Sequence, residues 1–119
     1  MHELALLTGV VRAVQDACPT AEPGSIKVVA LRVGAWSGAV PEALVGSWPI
    51  AASGTPVEAA ELVLELLPAA VWCPACEAKR EIDAFFALRC PQCDTPTADL
   101  VTGREFEVAY VEVEEPEHA

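Results

Sequence analysis

The chain has 119 residues, with 18 acidic side chains against 7 basic ones for a net charge of −11, and 53% of its residues are hydrophobic. That length is room for one ordinary domain or two very small ones. The acidic balance argues against a nucleic-acid or anionic-membrane partner, both of which require a cationic footprint, and no apolar run reaches the roughly 18 residues of a membrane span.

The opening, Met1-His2-Glu3, lacks the positive region of a secretory signal, so a reducing cytoplasm is the expected compartment. His2 is too bulky for ready removal of the initiator, so Met1 is expected to stay and keep a free α-amine. The amine, the backbone nitrogens of residues 2 and 3 and the His2 imidazole then lie within one short segment. An imidazole at the second position can close a chelate ring with its own deprotonated amide. A nitrogen square completed by its neighbours selects Ni²⁺ or Cu²⁺, whereas Zn²⁺ gains nothing from planarity. Glu3 can add a carboxylate, a hydrogen bond or a charge at a helix N-terminus. By themselves these three residues are a weak pattern.

Leu4, Leu7, Val11, Val14 and Cys18 recur at helical spacing, which predicts an amphipathic helix stopped by Pro19, with Cys18 a small core residue. After the turn-rich 19–24, the β-branched run Ser25–Val33 reads as a strand ending at Gly34. Pro41-Glu42 starts a second helix, with Val40, Leu44 and Trp48 along one side and Pro49 expected to end or kink it. Glu61–Leu67 reads as a second strand closed by Pro68. Short strands are expected around 70–72, 80–83 and 98–101, and a third long strand over Glu105–Val113. The charged tail 114–119 is expected to fray, and its His118 to be idle.

The richest signal is a pair of CxxC motifs, Cys73-Pro74-Ala75-Cys76 and Cys90-Pro91-Gln92-Cys93, separated by 13 residues with no flanking histidine. Each can bend into a knuckle that aims two thiolates at one point. Two facing knuckles close a tetrahedron, which suits Zn²⁺ and leaves no open position for a substrate. The competing readings are a pair of disulfides and an iron site of rubredoxin type. The expected fold is α+β and two-lobed. A body over 1–68 and 104–113 holds two helices and a small mixed three-stranded sheet, and a four-cysteine, zinc-ribbon-like lobe is inserted over 69–103. Nothing marks an enzyme: there is no Ser/His/Asp set and no phosphate-cradling glycine loop.

Met1-His2-Glu3, the segment Leu31-Arg-Val-Gly-Ala-Trp-Ser-Gly38 followed by Val40-Pro-Glu-Ala-Leu44, and the two cysteine pairs together resemble the HypA/HybF family of hydrogenase maturation nickel chaperones over about residues 1–113. The resemblance implies a metallochaperone, not an enzyme. It would hold Ni²⁺ as transferable cargo through Met1, His2 and Glu3, and structural Zn²⁺ through Cys73, Cys76, Cys90 and Cys93. The implied partners are a GTPase maturation factor and the large subunit of [NiFe]-hydrogenase, with urease a second recipient in some organisms; homodimerisation is left open. Two features depart from the family pattern: Pro49, where the second helix usually continues, and the absence of a histidine beside the cysteine pairs. The alternative is a zinc-ribbon interaction module that carries no second metal.

Overall fold

Helix α1 (Glu3–Ala17) opens the computed structural model, which describes residues 2–82 and 88–114. Strand β1 (Ile26–Gly34), helix α2 (Pro41–Ala52) and strand β2 (Glu61–Leu67) follow. Then come the short strands β3 (Ala70–Cys73), β4 (Ala78–Glu81) and β5 (Leu100–Thr102), and the long strand β6 (Phe106–Val113). The chain divides into two compact units. The fold is α+β, with two helices and two small sheets among the described residues.

The first unit comprises the chain up to Leu31, Ala39–Glu65 and the residues from Glu107 onward. Here α1 packs on α2. From α1 the unit buries Leu7, Val10, Val11 and Val14, at the i, i+3, i+4 and i+7 spacing of one helical face. From α2 it buries Leu44, Trp48 and Ala52, each one turn after the last. The sheet order is β2-β1-β6, so β1 is central. Its run Val29-Ala30-Leu31 is wholly buried, as expected of a strand covered on both faces. Bonds from Gly34 N to Glu105 O and from Glu114 N to Ser25 O bracket β1 and β6 in opposite senses, making that pair antiparallel. Ala35 N reaches Leu67 O, joining the C-terminal ends of β1 and β2, so these two run parallel, as a helical crossover through α2 requires. The sheet is therefore mixed.

The second unit comprises Arg32–Gly38 and Leu66–Phe106. Its sheet has β3 in the centre, flanked by β4 and β5, and both pairs are antiparallel. The loop after β1 is tied in by Trp36 N donating to Gly103 O, and Thr102 donates its hydroxyl to Pro68 O. Gly34 and Gly103 approach so closely that a Cβ on Gly34 would run into the Gly103 carbonyl and the Arg104 amide.

Four local expectations are corrected. Helix α2 continues through Pro49 to Ala52, because Leu44, Trp48 and Ala52 form one buried stripe and Trp48 Nε1 donates to Ala60 O at 3.0 Å. Their burial outweighs the one amide bond that a proline removes. Val40 stands at the N-cap of α2 and is exposed rather than part of that stripe. At the start of α1 it is Glu3 that is buried, while Leu4 is 39% exposed. Cys18 is half-buried at the C-cap of α1, where it lines a cleft with Thr20–Ser25 and Val113, rather than sitting in the core. Of the charged tail, Glu114 is held by its amide bond to Ser25 and by an ion pair with Lys27 at 3.1 Å. His118 and the other residues from 115 lie outside the described residues, as does Asp83 at the end of the strand expected over 80–83.

Candidate metal centres

The two CxxC pairs are delivered by different devices. Cys73 ends β3, and the β3–β4 hairpin folds Cys76 back over it, with Cys73 directly opposite Ala78. Cys90 and Cys93 lie in the turn before β5, closed by the Cys90 N–Thr95 O and Asp94 N–Cys90 O bonds. Each knuckle carries an amide-to-sulfur bond, Cys76 N to Cys73 Sγ and Gln92 N to Cys90 Sγ, both 3.4 Å. Each is followed immediately by a residue in the left-handed region, Glu77 (φ 51°) and Asp94 (φ 63°). That conformation is uncommon outside glycine. It turns the chain sharply away from the second cysteine at the same place in both motifs.

The four sulfurs lie within 4.8 Å of one another. Cys73–Cys93 and Cys76–Cys93 are 3.6 Å apart and Cys76–Cys90 is 3.8 Å. A tetrahedral ion with metal–sulfur bonds of about 2.3 Å needs sulfur–sulfur edges of about 3.8 Å, and these three edges already lie near that separation. Disulfides require about 2.05 Å, and all five cysteines are free thiols. Cys73 and Cys90 are buried, Cys76 is intermediate and Cys93 is exposed, so one corner of the tetrahedron faces solvent.

Crowding of the four thiols sets the electrostatics of the site. The Thr95 hydroxyl and amide hold Cys93 down to about 6, helped by the Cys73 thiol. Cys76 feels the Arg80 guanidinium, which favours its thiolate, but Cys93, Cys73 and burial outweigh it and push the thiol up to about 11. Burial opposes ionisation of Cys90, yet the amides of Cys93 and Gln92 keep it below the ordinary thiol range. Four thiolates this close repel one another; a divalent ion relieves the conflict and allows all four to ionise. Thr97, itself buried, braces the site by donating its hydroxyl to Trp72 O at 2.7 Å. The bracing threonines and Arg80 carry no sequence signal of their own, because their roles depend on which strands meet.

At the other candidate centre, His2 is the N-cap of α1 with its imidazole exposed, while Glu3 in the first turn is buried. Glu3 Oε2 accepts a hydrogen bond from Val40 N at 3.2 Å, at the N-terminus of α2, and lies 3.8 Å from His2 Nε2. The chain's α-ammonium group, Glu3's own amide and the Val40 amide hold its carboxyl down to about 2, against the opposing effect of burial. Glu3 thus joins the starts of both helices, where their unpaired amides favour an anion. Met1 lies outside the described residues.

Residues 1–113 match the family model described as "Hydrogenase/urease nickel incorporation, metallochaperone, hypA". The chain is 42% identical over 112 residues to the hydrogenase maturation factor HypA of Chloroflexus aurantiacus strain J-10-fl, covering 94% of this chain and 98% of that protein. It is 36% identical over 115 residues to the HypA of Roseiflexus sp. strain RS-1, covering 97% of this chain and 94% of that one. It also resembles the solution structure of the Ni metallochaperone HypA from Helicobacter pylori, with a TM-score of 0.66 over 98% of this chain and 100% of that chain; at 16% identity this likeness concerns the fold alone.

Proposed function

The chain belongs to the HypA family of hydrogenase maturation factors, and on that premise we propose that it carries Ni²⁺ at its amino terminus while Zn²⁺ in the four-cysteine site serves only to hold structure. The observation that carries this reading is a division of chemistry. Four sulfurs form a closed tetrahedral set that leaves no position for cargo. A different, nitrogen-rich set keeps its imidazole in solvent.

Zinc, when bound, supplies a fixed tetrahedral cross-link between the two knuckles through Cys73, Cys76, Cys90 and Cys93. The cargo is held by the Met1 amine, the His2 imidazole and the backbone nitrogens of residues 2 and 3. Before capture the α-amine and the imidazole must be neutral and both amides must lose their protons, so nickel affinity falls as pH drops. The Glu3 carboxylate is already engaged by the Val40 amide. Glu3 therefore contributes a backbone nitrogen to the cargo, while its side chain fixes the helix start and the position of the imidazole. An exposed site of this kind can pass its ion to a partner by ligand exchange, which a buried cage cannot do. The same nitrogen square prefers Cu²⁺ by intrinsic affinity, so selectivity comes from metal availability and from docking on the recipient. The partners are a GTPase maturation factor and the hydrogenase large subunit, met in the cytoplasm. Urease is the second recipient to test, because the family description names it. The lobe over 1–68 and 104–113 carries the nickel function and the lobe over 69–103 the zinc; neither catalyses a reaction.

His2→Ala should abolish stoichiometric Ni²⁺ binding in calorimetric titration while leaving zinc content and circular dichroism unchanged. Nickel affinity equal to that of the parent chain would defeat the assignment.

A further inference from the structure

A zinc ion with four thiolates carries a net charge of −2, in a chain whose own net charge is −11. A site of that charge holds its metal better when a cation stands beside the sulfurs. The β3–β4 register supplies one. Cys73 pairs with Ala78 and Val71 with Arg80, so the two-residue period of a strand puts Arg80 on the same face of the hairpin as Cys73. Lys79, opposite the exposed Trp72, falls on the other face. The nearby Arg89 is engaged by both carboxylate oxygens of Asp94 at 3.1 Å. Arg80 instead shares the face of the thiols, and the Cys76 and Cys90 sulfurs favour its charged form. Its Nε is buried and has no hydrogen-bond partner among the described residues. A guanidinium cannot shed its proton to escape such a place; the charge of the filled metal site is what makes its burial favourable.

We propose that Arg80 is a positioning residue for the zinc site, whose charge holds the thiolates on the metal and slows its loss to competing ligands. This inference deepens the zinc part of the proposed function and rests on it. Removing a group that supports a metal ligand typically costs about 10–100-fold in metal affinity. The consequence here is a zinc site made inert by a cation, so that the −2 centre does not release its ion while nickel is being exchanged.

The test is the rate of zinc transfer from the full-length protein to the chromogenic chelator 4-(2-pyridylazo)resorcinol, at fixed pH. The parent chain is compared with Arg80→Gln, Arg80→Met and Arg80→Lys, with zinc stoichiometry and circular dichroism recorded for each. Arg80→Gln and Arg80→Met should lose zinc about tenfold faster or more, and Arg80→Lys, which keeps the charge, should stay near the parent rate. Arg80→Met retains the apolar stem, so a residue that only packs would leave its rate unchanged. Parent-like rates in Arg80→Met, or a lysine variant as leaky as the glutamine one, would overturn the proposal while leaving the zinc site intact. Absence of tightly held zinc from the parent chain would overturn the site as well.

Discussion

Stripping zinc should unfold the second unit and leave the first one folded. Among the described residues, the second unit's buried apolar side chains are Val33, Ala69, Ala70 and Val71, beside Cys73 and Cys90 of the sulfur cluster. Two valines at roughly 1.5–3 kcal/mol each are a thin core. The unit holds seven residues in Arg32–Gly38 and 41 in Leu66–Phe106, 48 in all. At roughly 0.05–0.15 kcal/mol per residue a domain of that size has about 2–7 kcal/mol of net stability. Structural zinc contributes roughly 10–16 kcal/mol in small modules, so its removal should reverse the sign of the folding free energy. The assay is a ¹H–¹⁵N correlation spectrum before and after chelation, with zinc loss measured on the same sample. The amides of Ala70, Val71, Trp72 and Thr97 should collapse into the unstructured region, while those of Leu7, Val10, Leu44 and Trp48 keep their dispersion. Native-like dispersion of the β3 amides in verified zinc-free protein would refute the reasoning.

Two further outcomes follow from the packing and the charges. The Glu3 carboxyl is depressed from about 4.5 to about 2. Its stabilising effect is therefore fully present above pH 4.5 and is lost as pH falls toward 2. Glu3→Gln should be less stable than the parent chain at pH 7. That difference, followed by urea denaturation, should be flat down to about pH 5 and shrink below it; a pH-independent difference would show that the carboxylate charge is not involved. Gly34→Ala would drive a methyl into the Gly103 carbonyl and the Arg104 amide. It should cost at least the upper end of the roughly 1–3 kcal/mol typical of overpacking, read from the urea midpoint, because both obstacles are backbone and cannot rotate away.

Much of this architecture is legible in the residues. Strand β2 occupies Glu61–Leu67 as read, because Pro68 closes it, and the β-branched run before Gly34 gives β1 to within a residue. The sulfur cluster is legible because CxxC spacing dictates local geometry whatever surrounds it. The misreadings share one cause: they depend on contacts distant in sequence. Periodicity alone puts Leu4 inside, but the Val40 amide draws Glu3 there instead. Local propensity ends α2 at Pro49, but the seat that Trp48 finds against Ala60 carries the helix onward. Arg80 looks like an ordinary strand cation until the β3–β4 register sets it on the face of Cys73.

The most direct test of the division between cargo and scaffold is X-ray absorption at the nickel and zinc edges of one doubly loaded sample. It should be repeated on a chain lengthened by a few residues before Met1. Nickel should have nitrogen and oxygen neighbours only, and its coordination should change on lengthening, while zinc keeps four sulfurs at about 2.3 Å in both. Sulfur in the nickel shell, or a nickel spectrum indifferent to the added residues, would contradict the account.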